Sequence, residues 1–220
     1  MPANAPRTPS SPATAPSARS RVRRLPDRAH YDAETVAAVV DAAHLCTIAF
    51  DWNGSVHALP TAHWREGGHL YIHGARASRM LQALTAGECC VTVACLDGLV
   101  FARSAFHHSM NYRSAVIYGR FEPVDDPAAK EASLRAFIER LAPGRWAQLR
   151  PISAKELNAT TVLRLALDEA SVKIRNWGVK DDAEDMDWPV WAGVLPLALT
   201  AGAAQTDPDS VVRELPAGLG

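Results

Sequence analysis

The stretch GHLYIHGARASRML, residues 68–81, guides the interpretation of the whole chain. Its first half alternates polar and apolar residues up to His73, which is typical of a β-strand, and Gly74 follows directly. Ser78 is a common N-cap residue, and the apolar residues after it recur at helical spacing. The stretch therefore predicts a strand, a glycine-containing turn and the N-terminus of a short helix in succession.

The same turn offers groups that could bind a phosphate. A phosphate site needs backbone N–H donors, room for a close approach and a cation. Gly74, the amides at the helix start, the Ser78 hydroxyl and Arg79 meet these needs. An ordinary turn with a capping serine and a solvated arginine would have the same sequence, so spacing alone leaves both interpretations open.

Further strands are predicted on both sides of this stretch. Asn53-Gly54 and Asp97-Gly98 each suit a tight turn between two antiparallel strands. The predicted strands cover residues 45–50, 55–64, 69–73, 88–96, 99–105, 112–121 and 160–177. Helices are predicted to begin after Asp32, Ser78 and Asp126. Successive hairpins without βαβ alternation predict an α+β fold that is mainly β, an antiparallel barrel with a few helices inserted.

A second polar cluster lies at the start of the strand predicted over residues 112–121. It contains Asn111, Tyr112, Arg113 and Ser114, and an apolar run follows it. A strand in a rigid sheet can present a guanidinium and a hydroxyl group to an anion. A loop with solvated polar side chains is the alternative, and the residues alone do not decide between the two.

Composition limits the classes of function. The chain has 220 residues, 48% of them hydrophobic, and a formal net charge of −1 at pH 7, so neither nucleic acid nor an anionic membrane is an expected partner. Its apolar runs are too short to span a bilayer. The four cysteines lack CxxC spacing, and the eight histidines form no evident ligand set, so no metal site is predicted. These features predict a cytoplasmic protein with small-molecule partners.

Three regions are predicted along the chain. Residues 1–27 are rich in Pro, Ala and Arg, and we expect them to form a disordered tail, with a targeting leader as the other interpretation. Residues 28–200 contain the strand and helix patterns of one folded domain. Residues 201–220 are predicted to be a C-terminal extension.

Three motifs together resemble the pyridoxamine 5′-phosphate oxidase-like superfamily, in its flavin-nucleotide-binding and 5-nitroimidazole-reductase-like branch. They are His73-Gly74-Ala75 with Ser78-Arg79, then Asn111-Tyr112-Arg113-Ser114, and finally PVWAGVLP at residues 189–196. The resemblance covers residues 28–200. It implies an antiparallel split β-barrel of the FMN-binding type, in which FMN lies between the two protomers of a homodimer.

The resemblance also implies which residues contact the cofactor. They are Thr61, His63, His73, Gly74, Ala75, Ser78, Arg79, Tyr112, Arg113, Ser114 and Lys173. Relatives often carry a lysine that binds the phosphate at the position of Met80. Arg113 or Lys173 would supply that positive charge in this chain. For Thr61 and His63, a strand whose alternate polar side chains face solvent is an equally good interpretation. His73 is the implied catalytic residue, placed near the flavin and able to donate a proton to a reduced substrate.

These observations predict an FMN-dependent oxidoreductase that reduces a small electron-poor substrate, in the manner of nitroreductases. In such an enzyme the flavin carries the electrons, and the protein supplies binding, orientation and electrostatics. Two alternatives stay open, because a fold and a cofactor do not establish turnover. One is a non-catalytic carrier or sensor of flavin or haem, and the other is a deazaflavin-dependent reductase on the same fold.

Overall fold

Two antiparallel sheets and four helices make up the computed structural model, which describes residues 14–216. The larger sheet contains β1 (Ala29–His30), β2 (Leu45–Trp52), β3 (Ser55–Ala62), β6 (Cys89–Phe101), β7 (Ser109–Gly119), β10 (Ala170–Arg175) and β11 (Gly193–Pro196). The smaller sheet contains β4 (Trp64–Glu66), β5 (His69–Ala75), β8 (Glu122–Pro123) and β9 (Thr160–Ala166). The helices are α1 (Ala33–Asp41), α2 (Arg79–Ala86), α3 (Pro127–Leu141) and α4 (Ala154–Ala159).

The strand order confirms the predicted α+β class that is mainly β. In the larger sheet the order is β1-β10-β7-β6-β2-β3, and β11 pairs with the C-terminal half of β6. In the smaller sheet the order is β4-β5-β9-β8. Because β3 and β4 follow each other in the chain but belong to different sheets, the strands split into two groups there.

Two of the predicted helix starts, after Asp32 and Asp126, are confirmed by their side-chain caps. The Asp32 carboxylate accepts a hydrogen bond from the Thr35 amide at 2.8 Å, and the Asp126 carboxylate accepts one from the Ala129 amide at 2.7 Å. Such side-chain caps satisfy backbone N–H groups that have no partner within the first turn of a helix. The predicted turn at Asn53-Gly54 joins β2 to β3, and both residues have positive φ, 54° and 77°.

The main core lies between the two sheets and two helices. The inward faces of both sheets are fully buried there, and they are represented by Ile48 and Ile117 in the larger sheet and by Leu70 and Ile72 in the smaller one. Val40 of α1 and Leu84 of α2 pack against the same cluster. A second, smaller cluster on the outer side of the smaller sheet is formed by Trp64, Leu134 and Val162. This second cluster borders the site described below.

Three sequence-based strand boundaries were wrong. The strand predicted over residues 55–64 ends at Ala62 as β3, and Trp64 begins β4 in the smaller sheet. The predicted turn at Asp97-Gly98 is an irregularity within the single strand β6, where the register with β7 shifts between Leu96 and Gly98. The predicted long strand over residues 160–177 is two strands, β9 and β10, which belong to different sheets. Alternating hydrophobicity reports the two faces of a strand but not the sheet that the strand joins.

The N-terminal segment that is described makes contacts with the larger sheet. Residues 1–13 of the predicted tail lie outside the described residues, but Arg19 forms ion pairs with Glu88 and Glu169, each at 2.6 Å. The Val22 amide donates to the Tyr31 hydroxyl at 2.9 Å. Among residues 14–216, no helix is both long and apolar enough to cross a bilayer.

Candidate functional site

The turn between β5 and α2 has free hydrogen-bond donors. Ser78 is the N-cap of α2, but its side chain makes no capping hydrogen bond, so within residues 14–216 the first amides of the helix have no side-chain partner. Arg76 and Arg79 are exposed beside this turn, and neither forms an ion pair within residues 14–216. A helix N-terminus with free amides and nearby guanidinium groups suits a phosphate. The predicted phosphate segment therefore has the required donors and charge.

Close packing fixes the position of this turn. A Cβ atom at Gly74 would lie 3.1 Å from Leu81 Cδ1, so glycine allows β5 to approach α2 closely. The Arg76 amide donates to the Ala159 carbonyl at 3.0 Å, and this bond connects the turn to the end of α4. Residues 73–79 are thus held by neighbours on both sides.

A cavity of about 440 Å³ begins where β5 ends, and its wall is mostly apolar. The apolar wall is formed by Leu134, Phe137, Ile138, Trp146, Leu149 and Ile152. The polar members are His73, Arg150, Glu156 and Thr160. Its volume is in the range of small-molecule and cofactor pockets, about 300–1,000 Å³. A mostly apolar cavity with one imidazole suits a largely apolar ligand that carries an atom able to bind the ring nitrogen of that imidazole.

His73 has no hydrogen-bond partner for its buried ring nitrogen. Within residues 14–216, Nδ1 of His73 is buried and unpaired, and the ring lies against Phe137 and Trp64 at centroid distances of 4.9 and 5.7 Å. Burial lowers the pKa of His73 below its usual value, which keeps the imidazole neutral at pH 7. A neutral imidazole is the form that binds a metal.

The rim of this cavity carries an ion pair. Arg150 contacts the Glu156 carboxylate, and Glu156 also accepts hydrogen bonds from the amide and hydroxyl of Ser153 at 2.9 and 2.8 Å. These bonds hold the pKa of Glu156 well below its usual range. Because Arg150 is exposed, its guanidinium group can also reach an anionic group of a ligand in the cavity.

Thr61 and His63 lie where β3 ends, in different environments. Thr61 is half-buried, whereas His63 is 1% exposed and its Nε2 lies 2.9 Å from the Val40 carbonyl oxygen. This geometry requires Nε2 to carry the proton and to donate it to that carbonyl. We therefore assign His63 a structural role in joining β3 to α1.

The second predicted group lies on adjacent strands of the larger sheet. Ser114 on β7 is opposite Lys173 on β10, and Arg113 donates two hydrogen bonds to the Asp97 carboxylate at 2.8 and 2.9 Å. This bidentate contact raises the pKa of Arg113. Tyr112 precedes Arg113 in the same strand. Within one chain these residues are in a different sheet from the β5–α2 turn.

Sequence reasoning missed most of the cavity wall. The residues from α3 face the smaller sheet, and Trp146, Leu149 and Ile152 come from the segment between α3 and α4. Exposed loops are usually polar, so three large apolar residues in this short loop were the sequence signal that the loop lines a cavity. The sequence does not indicate that they meet His73, since that contact depends on how α3 packs.

Buried histidines predict a decrease in stability at mildly acidic pH. Burial lowers the pKa of His63 and His73 in the folded state, so the unfolded chain binds more protons as pH falls below the usual histidine value of about 6.5. The free energy of unfolding should therefore fall as pH decreases from 7 to 5, by at most about 1.4 kcal/mol per pH unit for each histidine. Urea unfolding at several pH values measures this slope.

The variant His63→Gln should flatten that slope, because glutamine keeps a donor for Val40 but does not titrate. His57→Gln is the matched control, since His57 is exposed on β3. An unchanged slope in His63→Gln would contradict the assignment of a buried neutral imidazole.

Comparisons with known proteins identify similar sequences and structures. The family described as pyridoxamine 5′-phosphate oxidase matches residues 32–174. A flavocytochrome from Azotobacter vinelandii is 42% identical, with a TM-score of 0.90, and the match covers 94% of this chain and 97% of that one. The FAD and haem binding protein from Mycobacterium smegmatis is 38% identical, with a TM-score of 0.82 and coverage of 87% and 95%.

A more distant structure shares the fold alone. It is described as a 5-nitroimidazole antibiotic resistance protein from Bacteroides thetaiotaomicron, and it is 19% identical with a TM-score of 0.57. The match covers 66% of this chain and 86% of that one. The curated proteins contain no match to this chain.

Proposed function

The chain belongs to the pyridoxamine 5′-phosphate oxidase family, and we propose that it is an oxidoreductase that binds both a flavin and a haem. The flavin phosphate lies at the β5–α2 turn, and the haem lies in the cavity that His73 borders. The observation that carries this proposal is the neutral, unpaired imidazole of His73 in a mostly apolar cavity. The two relatives that are 42% and 38% identical support it, because their names include a flavin and a haem.

The β5–α2 turn fits a flavin phosphate. It combines the uncapped amides of α2, the Ser78 hydroxyl and the exposed Arg79. Both FMN and FAD carry a phosphate on the ribityl chain, so this turn suits either. The sequence predicts FMN, whereas the name of the Mycobacterium relative favours FAD. Chromatography of the flavin that is released on denaturation distinguishes the two.

The cavity fits a haem by the chemistry of its donors. Haem is a flat apolar group that needs one axial ligand from the protein and partners for two propionates. His73 supplies a neutral imidazole, six apolar side chains supply the wall, and Arg150 supplies a cation at the rim. The aromatic contacts to Phe137 and Trp64 restrain the ring of His73.

The residues of this chain hold and orient the groups that carry electrons. A flavin exchanges one or two electrons and a haem exchanges one, so together they connect a two-electron donor to a one-electron acceptor. The apolar surroundings partly desolvate His73, and this burial lowers its pKa and favours the neutral imidazole. A neutral imidazole is a better metal ligand than a proton donor, so we propose that His73 would bind the haem iron in place of the acid role predicted from sequence. The substrate that we propose is a small electron-poor acceptor.

The absorption spectrum of purified protein tests this function. The chain should be expressed with a haem precursor and purified without added flavin, and the spectrum should show both a Soret band and the two visible flavin bands. Anaerobic addition of NADH or NADPH should then bleach the flavin bands and shift the Soret band. Flavin without haem would contradict the proposal and indicate a reductase that binds flavin alone. A deazaflavin in the extract would indicate the deazaflavin-dependent reductase.

We also propose a homodimer that forms around β3. In the described part of the chain β3 is at the edge of the larger sheet, and Val56 and Leu59 on it are 82% and 44% exposed. An exposed strand edge with apolar side chains pairs readily with another chain. Partner residues at this edge would enclose the flavin that the neighbouring turn holds.

The double variant Val56→Lys/Leu59→Lys should therefore be monomeric, because two buried charges would oppose the interface. Light scattering during size-exclusion chromatography measures the mass, and the same fractions report flavin content, which should fall. Val211→Lys is the control, since Val211 is 97% exposed and far along the chain from β3. A dimer of unchanged stability in the double variant would place the interface elsewhere.

A further inference from the structure

A second cavity, of about 480 Å³, lies at the opposite end of the larger sheet from β3 and has a mixed polar and apolar lining. It is bordered by the segment around Arg28, by the turn between β6 and β7, and by the segment after β10 that contains Trp177. Its lining is different from that of the cavity that contains His73.

Arg175 is a buried cation without a counter-ion. It is 3% exposed, and its guanidinium group donates to Asn111, to the Trp177 carbonyl at 2.8 Å and to the Gly178 carbonyl at 3.0 Å. All three partners are neutral, and Nε has no partner within residues 14–216. Residues 1–13 and 217–220 contain no Asp or Glu, so they cannot supply a side-chain carboxylate. A buried charge without an opposite charge is costly, and an anionic ligand would offset that cost.

A second guanidinium group contacts the same indole ring as Arg175. The Cζ atoms of Arg28 and Arg175 are 4.9 and 5.0 Å from the centre of the Trp177 ring. Burial, and to a smaller extent repulsion from Arg28, lower the pKa of Arg175. Contact with one indole ring restrains both cations. Guanidinium groups suit phosphate because their N–H donors match its oxygens.

The acidic residues of the cavity neutralise only part of its positive charge. Asp181 pairs with Arg103 at 3.0 Å, and Asp182 lies 3.1 Å from the His107 ring. Within residues 14–216, Asp27 and Asp182 are then the carboxylates at the cavity without an arginine or lysine partner, against the three cations Arg28, Arg175 and Lys180. The cavity therefore keeps an excess of positive charge that an anion can balance.

The rim of this cavity is aromatic. Phe106 is 89% exposed and Trp177 is 40% exposed, and both border the opening. Exposed aromatic side chains beside a phosphate site are suited to stack a planar ring. We propose that this cavity binds a nucleotide, with a phosphate on Arg175 and Arg28 and the base against the aromatic rim.

Isothermal titration of the cofactor-loaded protein with ADP tests this site. We expect saturable binding that weakens at least tenfold in Arg175→Met and in Arg28→Met, whereas Arg135→Met on the exposed face of α3 leaves it unchanged. Arg28→Met is the second variant because Arg28 is only half-buried and its loss should not disturb folding, which Arg175→Met could do.

Two further ligands separate the parts of the proposal. Adenosine lacks the phosphates and should bind at least tenfold more weakly than ADP, and inorganic phosphate lacks the base and should also bind more weakly. The proposed site would be wrong if ADP did not bind, or if Arg135→Met lost as much ADP affinity as Arg28→Met and Arg175→Met. Equal affinity for phosphate and ADP would overturn the assignment to a nucleotide. The flavin and Soret bands of each variant, recorded in the same samples, show whether the cofactors stay bound, so failure here is distinguishable from failure of the proposed function.

Discussion

Replacing His73 with alanine is expected to abolish haem binding while flavin stays bound. The imidazole of His73 is the one nitrogen donor among the side chains that line the cavity and can bind a metal, because the other polar groups there are a guanidinium, a carboxylate and a hydroxyl. Loss of residues that merely support a metal ligand lowers metal affinity about 10- to 100-fold, so loss of the ligand should lower it more. The ratio of Soret to flavin absorbance in purified protein measures the effect.

His69→Ala is the matched control for this variant. His69 and His73 are on the same face of β5, because side chains four residues apart in a strand point the same way, but His69 does not border the cavity. Added imidazole should restore a Soret band in His73→Ala, since it can enter the space that the side chain leaves. A normal haem content in His73→Ala would show that the ligand is elsewhere.

The sequence was sufficient to predict features that neighbouring residues determine. The strand, turn and helix at residues 69–86 depend on alternation, on Gly74 and on the capping position of Ser78, and the structure has all three there. The hairpin at Asn53-Gly54 depends equally on local backbone preference. The fold class was predictable because it is the sum of such local features.

The cavity was not predictable because distant segments form it. His73 comes from β5, whereas its wall comes from α3 and from the loop that follows. Arg113 shows the same limit: its sequence context suggests an anion ligand, but the pairing of β6 with β7 places Asp97 within hydrogen-bond distance of it. A carboxylate that already neutralises the guanidinium group leaves less charge for a phosphate.

The effect on flavin binding should therefore differ between the two arginines. Arg79→Met removes an exposed cation at the N-terminus of α2, and hydrogen bonds to charged groups contribute about 1.5–3 kcal/mol, which corresponds to a rise in the flavin dissociation constant of roughly 10- to 150-fold. Arg113→Met should have a much smaller effect, because Arg113 is already paired with Asp97. Fluorescence titration of the flavin-free protein measures both constants.

Haem content should not change in Arg79→Met, because Arg79 does not border the cavity of His73. This separates a local loss of phosphate binding from a general loss of structure, in which both cofactors would be released. The backbone amides of α2 remain in the variant, so some flavin binding should persist and Ser78→Ala should weaken it further. Equal affinity in Arg79→Met and the unaltered chain would show that the phosphate is not bound at this turn, while a large effect of Arg113→Met alone would place it at the larger sheet.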